Sequence, residues 1–346
     1  MSPLRNTLSY YIGSQRTRGL GHAWAVALTL ELIEKASHFV AGRVRRTPLE
    51  ASPRLSEVAG APVFLKLECL QETGSFKLRG ALFRLSLLSE QEKRAGIATC
   101  SAGNHGKAVA YAAKALGLVP WIAVPASVDE AKYRAMVALG AEVVRSRFRG
   151  YDNTEVWAME EAAKAGKVWI SAFDDDAIMA GNGGSLAAEV LEDLPDARSF
   201  VMPVGGGGMA AGLALYAKEK RPGAVIVGCN HELSPALALS LERGEAVTRL
   251  PAVETTAGGI EGGLGRKPFE ILRSRVDRVA LVSEADLFQA VRFVLGEHQY
   301  VIETSAAAGV AACLTGKAGQ LEGPAVVVLT GRNVSLETLR RILQSA

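Results

Sequence analysis

At 346 residues, 49% hydrophobic in composition and formally +3 in net charge, the chain can bury a large core and is expected to divide into two domains. Its 39 basic and 36 acidic residues are scattered without the aromatic-laced basic stripe of a nucleic-acid partner, and no apolar run approaches the roughly 20 residues a bilayer span needs. The four cysteines, Cys69, Cys100, Cys229 and Cys313, sit in or beside apolar stretches without C-x-x-C spacing, which reads as the reduced thiols of a cytoplasmic protein.

In chain order, the first thirty residues carry Arg5, Arg16 and Arg18 and no acid before Glu31. A disordered extension is expected over residues 1–30. Strand-like runs follow at Val63–Leu67, Gly96–Cys100, Trp121–Val124, Glu142–Val144, Val168–Ser171, Phe200–Val204, Ala224–Cys229 and Ala325–Leu329, separated by helical patterns. That alternation predicts an α/β fold of open, mostly parallel sheets with helices on both faces.

Three segments carry chemistry. Gln71–Ala81, QETGSFKLRGA, places Lys77 after the turn residues Gly74 and Ser75, just ahead of a helical pattern that begins near Ala81. A deprotonatable amine on a flexible stem beside such a turn suits covalent capture of an aldehyde. Ser101–Gly106, SAGNHG, stands between an apolar run and an alanine-rich helix, so its amides form an anion site at a helix N-terminus. Val201–Gly212, VMPVGGGGMAAG, repeats the arrangement with four successive glycines, whose backbone can wrap a phosphate. Close helix-to-sheet packing is the competing account of the glycines, and it rarely asks for four in a row. Gly205, Gly207 and Ala210 also satisfy G-x-G-x-x-A, but the following strand ends in Cys229, Asn230 and His231 rather than the acid a dinucleotide ribose requires.

Together these segments resemble the fold-type II pyridoxal-phosphate enzymes, specifically the serine/threonine dehydratase family that includes serine racemase, from about Ile33 onward. The resemblance implies pyridoxal 5'-phosphate as cofactor and a cofactor lysine at Lys77, with Phe76 beside the ring. Asn104 would meet the cofactor's phenolic oxygen, and Ser101, Ala102, Gly103, Asn104 and His105 would receive the substrate carboxylate. Gly205, Gly206, Gly207, Gly208 and Met209 would hold the phosphate, Thr330 would face the pyridine nitrogen, and Gly259 and Glu303 complete the cofactor set. The family's architecture implies a large domain from residues 31–94 and 173–346, and a smaller inserted domain, 95–172, that closes over the substrate. No metal is expected: Asn230 and Ala236 stand where some members carry carboxylate ligands, and the histidines form no ligand cluster.

The implied reaction is β-elimination, a dehydratase or ammonia-lyase converting a β-hydroxy amino acid, foremost L-threonine or L-serine, to a 2-oxo acid and ammonia. Ala102 replaces a serine that racemizing relatives use to protonate the far face of the carbanion, so racemization is not expected. The alternatives are a 3-hydroxyaspartate or hydroxyectoine-derived substrate, a β-replacement enzyme of cysteine-synthase type, and a non-catalytic pyridoxal-phosphate binding protein. Leu78 and His105 argue against β-replacement, whose enzymes usually carry an acid and a threonine there. A homodimer or homotetramer is expected.

Overall fold

Apolar runs of four to seven residues, most of them buried on both faces, form the inner strands of two sheets covered by helices. The computed structural model describes residues 27–345. Its strands are β1 (Leu49–Ala51), β2 (Val63–Lys66), β3 (Ile97–Cys100), β4 (Trp121–Val124), β5 (Glu142–Arg145), β6 (Val168–Trp169), β7 (Ser199–Pro203), β8 (Val225–His231), β9 (Arg278–Val282) and β10 (Ala325–Val328). Six make a sheet in the order β1-β2-β10-β7-β8-β9, and four make a second in the order β5-β4-β3-β6. All pairings are parallel except β1 with β2.

The twofold period of a strand divides the large core. Phe200, Met202, Val326 and Val328 face one apolar layer with Phe83 and Phe269, while Val201 and Val327 face the other with Val291 and Val310. In the smaller sheet, Ile97 and Ile170 pack on Ala108 and Ala112, and Ile122 and Val124 pack on Ala110 and Met136. The helix Lys77–Ser86 serves both bodies: Phe83 enters the large core, whereas Ala81 and Leu85 join the cluster of the small sheet.

Two strands escaped the sequence reading. β1 is a three-residue edge, and β9 is an edge whose Arg278 and Leu281 stay exposed, so neither presents a clean apolar run. The helical pattern after Lys77 also starts earlier than expected: Lys77 is the first residue of its helix rather than part of the preceding turn. Of the extension expected over residues 1–30, residues 1–26 lie outside the described residues. Its far limit is set too late, because Leu28 is buried and Thr29 caps the helix Leu30–Val40 by accepting from the Leu32 amide at 3.1 Å. Among the described residues, no helix is long and apolar enough to cross a membrane.

Candidate active site

Parallel strands deliver their carboxyl ends to one edge of a sheet, and the loops that follow them build the site there. β2 and β10 are neighbours with Lys66 opposite Val328, so the segments that follow them run side by side. The Phe76 amide donates to the Thr330 carbonyl at 3.1 Å, and Ser75 pairs with Gly331. β10 thereby sets Thr330 beside the lysine segment, with only 3% of Thr330 exposed.

The Lys77 ammonium donates to the Ala172 carbonyl at 2.8 Å and lies 5.1 Å from the centroid of the Phe76 ring. Burial lowers its pKa to about 8, with Glu303 opposing the shift. Glu303 is half-buried. Burial raises its pKa, opposed by a hydrogen bond that Oε1 accepts from Asn104 Nδ2 at 2.7 Å and by the charges of Lys132 and Lys77. An amine poised near neutrality beside a carboxyl inclined to keep its proton is a competent pair for moving a proton.

Asn104 is held from both ends, since its Oδ1 accepts from Asn333 Nδ2 at 2.5 Å while Nδ2 serves Glu303. Lys107 Nζ donates to Asn333 Oδ1 at 3.0 Å and extends the chain of contacts. One Asn104 N–H stays available for a ligand oxygen. The Ser101 turn keeps its donors: the Ala102, Asn104, His105 and Gly106 amides reach no backbone carbonyl among the described residues. The His105 imidazole takes no direct part. Burial, then the Lys77 charge, pushes its pKa down to about 3, and Nε2 faces the Ile170 carbonyl at 3.4 Å. His105 therefore offers the turn a backbone amide rather than a charge.

The glycine loop is both cradle and packing joint. The amides of Gly205 through Ala210 donate to no backbone carbonyl among the described residues, and the helix Gly208–Lys220 begins there. Such a ring of donors at a helix N-terminus suits a phosphate. Packing nevertheless claims all four glycines, contrary to expectation. A β-carbon at Gly205 would strike the Gly259 carbonyl, one at Gly206 the Phe173 ring, and one at Gly208 the Phe173 backbone. Gly207 has φ +85° and lies against Leu264 and Pro268. Gly259, placed at the site by the sequence, is thus the backbone wall behind Gly205, and its own amide donates to Ser305 Oγ at 2.8 Å.

A buried ion cluster lies along the lysine helix, and sequence reasoning missed it. Arg79 donates to Glu68 through Nε and Nη2 at 2.9 and 2.8 Å, and to Glu189 through Nη1 and Nη2 at 3.0 Å each. Lys66 Nζ donates to Glu189 Oε1 at 2.5 Å and to the Thr47 carbonyl at 2.8 Å, while the Thr47 hydroxyl donates to Glu68 Oε1 at 2.6 Å. Burial works against charge on Arg79, but both carboxylates outweigh it and raise its pKa. The cluster fastens the helix that begins with Lys77 to β2 and to the helix Ser185–Asp193. Its one trace in the sequence is a pair of charges, Lys66 and Glu68, inside an apolar run.

The lowered Lys77 pKa fixes a pH dependence. A folded amine that titrates near 8 and an unfolded one near 10.5 leave the unfolded chain with more bound protons between those values, so stability attributable to Lys77 rises with pH across that window. The gain is on the order of 3 kcal/mol. Urea unfolding of the ligand-free protein at pH 8 and pH 10 should show wild type gaining on Lys77→Met; an equal change in both would remove the buried-amine reading.

Among the described residues, no group of three or more His, Cys, Asp or Glu side chains is arranged to hold a metal ion. The groups present fit pyridoxal phosphate: a half-buried amine of lowered pKa that can bond an aldehyde, and turns whose free backbone amides can bind a phosphate.

Known proteins resemble the chain over most of its length. The chain is 36% identical over 320 residues to the L-threonine ammonia-lyase of Thermotoga maritima, spanning 91% of this chain and 78% of that one. A threonine deaminase isoform 2 of Solanum lycopersicum superposes with a TM-score of 0.84 at 31% identity, covering 91% of this chain and 87% of the other. Maize serine racemase superposes with a TM-score of 0.85 at 28% identity, covering 92% and 97%. The profile of a family described as "Pyridoxal-phosphate dependent enzyme" matches residues 40–331, and the chain belongs to that family.

Proposed function

We propose that the protein eliminates water from a β-hydroxy amino acid, L-threonine or L-serine, and so forms a 2-oxo acid and ammonia. The observation that carries this reading is the half-buried Lys77 amine, 5.1 Å from the Phe76 ring and under the charge of Glu303, on the segment that the Thr330 carbonyl anchors through the Phe76 amide. The names of the threonine ammonia-lyase and threonine deaminase relatives support it. When bound, pyridoxal phosphate supplies an aldehyde for amines and a conjugated ring that delocalises the electron pair left by a departing α-proton.

The chain's own groups do the rest. The free amides of the Ser101 turn bind the substrate carboxylate and orient the Cα–H bond. Lys77 Nζ, deprotonated above about pH 8, takes the α-proton as the β-hydroxyl leaves. Thr330 offers a hydroxyl rather than a carboxylate, so nothing there enforces a positive pyridine nitrogen, and the electron pair goes to expelling the hydroxyl. The small sheet, proposed as the closing body over residues 95–172, keeps bulk water from this step. The released enamine then hydrolyses in solution to 2-oxo acid and ammonia. The proposal includes a cytoplasmic location and self-association as a homodimer or homotetramer.

The rim of the site bears on the substrate side chain. Tyr151 donates to Glu155 Oε1 at 2.9 Å and to the Cys100 carbonyl, next to the Ser101 turn, at 3.5 Å. Burial raises the pKa values of Asp152, Glu155 and Glu261, and Asp152 raises the other two further. Arg249 acts on Asp152 and Glu155, and Lys132 on Glu261, so three acids stand against two cations; a second substrate amine would gain more at this rim than a second carboxylate, which weighs against 3-hydroxyaspartate. That favours, as a second reading, a β-hydroxy amino acid with a γ-amino group, the class into which ring-opened hydroxyectoine falls.

A substrate panel decides between them. With 2-oxo acid and ammonia both measured at pH 8, kcat/KM should be at least tenfold lower for 3-hydroxyaspartate than for threonine. Higher values for 3-hydroxy-2,4-diaminobutyrate than for threonine would select the second reading, and turnover of no member of the panel would defeat both.

A further inference from the structure

The carbonyl of Val204, the last residue before the glycine loop, is engaged by a side chain rather than by a neighbouring strand. Asn230, in β8, is wholly buried, and its Nδ2 donates to that carbonyl at 2.7 Å. Its Oδ1 accepts from the amides of Leu237 and Ala238, at 3.0 and 3.3 Å, in the first turn of the helix Ala236–Arg243. One carboxamide thus spends both ends at once, one on the strand-to-loop junction and one on a helix start. The Val204 amide is tied to the same strand, donating to the Cys229 carbonyl at 2.8 Å. Packing leaves little room for adjustment, since a β-carbon on Gly228 would strike Leu237 and crowd Val204.

We infer that Asn230 is a positioning residue for the anion cradle, fixing where the free amides of Gly205 through Ala210 point. The inference rests on the reading that this loop holds the cofactor phosphate. An amide cradle works only if its donors converge, and the plane at Val204 aims the first of them. Without Asn230 the Val204 carbonyl and two helix amides lose their partners in a dry interior, and each buried polar group left that way favours a local shift that recovers one. The Val204–Gly205 peptide adjoins the lost partner, so the shift falls first on the leading amide of the cradle.

The test compares two ligands that differ only in phosphate. Kd values for pyridoxal phosphate and for pyridoxal are measured by absorbance titration of the ligand-free protein, for wild type and Asn230→Ala. The expected result is that the wild-type preference for the phosphorylated ligand falls at least tenfold in Asn230→Ala, while the pyridoxal Kd changes by less than threefold. A role confined to general folding would weaken both ligands together and overturn the inference, as would a preference unchanged from wild type. Should the wild type itself bind the two equally, the phosphate reading of the loop fails first and the inference falls with it. Asn230→Asp keeps the oxygen used by Leu237 and Ala238 and, once ionised, has no hydrogen for Val204, so it gives the same readout if the alanine variant does not fold.

Discussion

Lys77→Ala is expected to leave no measurable elimination, a loss of at least about 10⁴-fold, the upper range for removing one acid-base group, because this amine also bonds the cofactor. Among the described lysines, Lys77 is the one with a pKa lowered to about 8, and it stands where the segments after β2 and β10 run side by side. Lys66, which is fully buried, is committed to Glu189 and to the Thr47 carbonyl. Borohydride reduction of the holoenzyme followed by peptide mass spectrometry should find a pyridoxyl adduct on Lys77 and nowhere else. An adduct on another lysine, or a variant that still deaminates threonine at the wild-type rate, would overturn the assignment.

Arg79→Met should be the most damaging single change to stability. It removes one of two cations from a buried set with two carboxylates, leaving Glu68, 0% exposed, facing apolar atoms with only the Thr47 hydroxyl for company. Breaking a buried pair in this way costs about 3–5 kcal/mol. Against a total stability of about 5–15 kcal/mol that is a large fraction. Adding Glu68→Gln restores the charge balance, because Lys66 and Glu189 remain as a neutral pair, so the double variant should be more stable than Arg79→Met alone. Urea midpoints of the two single variants and the double variant measure the coupling; strictly additive losses would mean that the charges do not act as one set.

How much of this was legible in the sequence depends on how local each feature is. The three chemical segments each read strand, turn and helix over a dozen residues, so their places at the strand ends followed from sequence alone. The start of the lysine helix was placed about four residues late because it has no capping side chain to mark it, Phe76 standing at that position. The four glycines were read for their amides, and the neighbours that also demand them, Phe173 at Gly206 and Gly208, Gly259 at Gly205, and Leu264 and Pro268 at Gly207, lie more than thirty positions away. Asn104 was expected at a ligand, but its partners Glu303 and Asn333 are 199 and 229 residues away, and spacing has nothing to say at that range. The ion cluster joins residues up to 123 positions apart, and Asn230 joins Val204, 26 positions back, to the Leu237 and Ala238 amides, so both sets of contacts exist only after the sheet has assembled.

The strand order carries a consequence for how the chain is made. β2 sits between β1 and β10, so one of its edges can be covered almost at once while the other waits for residues 325–328. At ribosomal speeds of about 5–20 residues per second the wait lasts on the order of tens of seconds. For the first part of it, until Glu189 is made, Lys66 and Arg79 have emerged with Glu68 alone to balance them. A nascent chain in that part of the interval holds an uncovered strand edge beside an excess positive charge, and the charge discourages premature burial of the edge against another chain. The short antiparallel strand β1, easily dismissed as an edge ornament, then acts as a provisional cover on one side until the last strand arrives to complete the other.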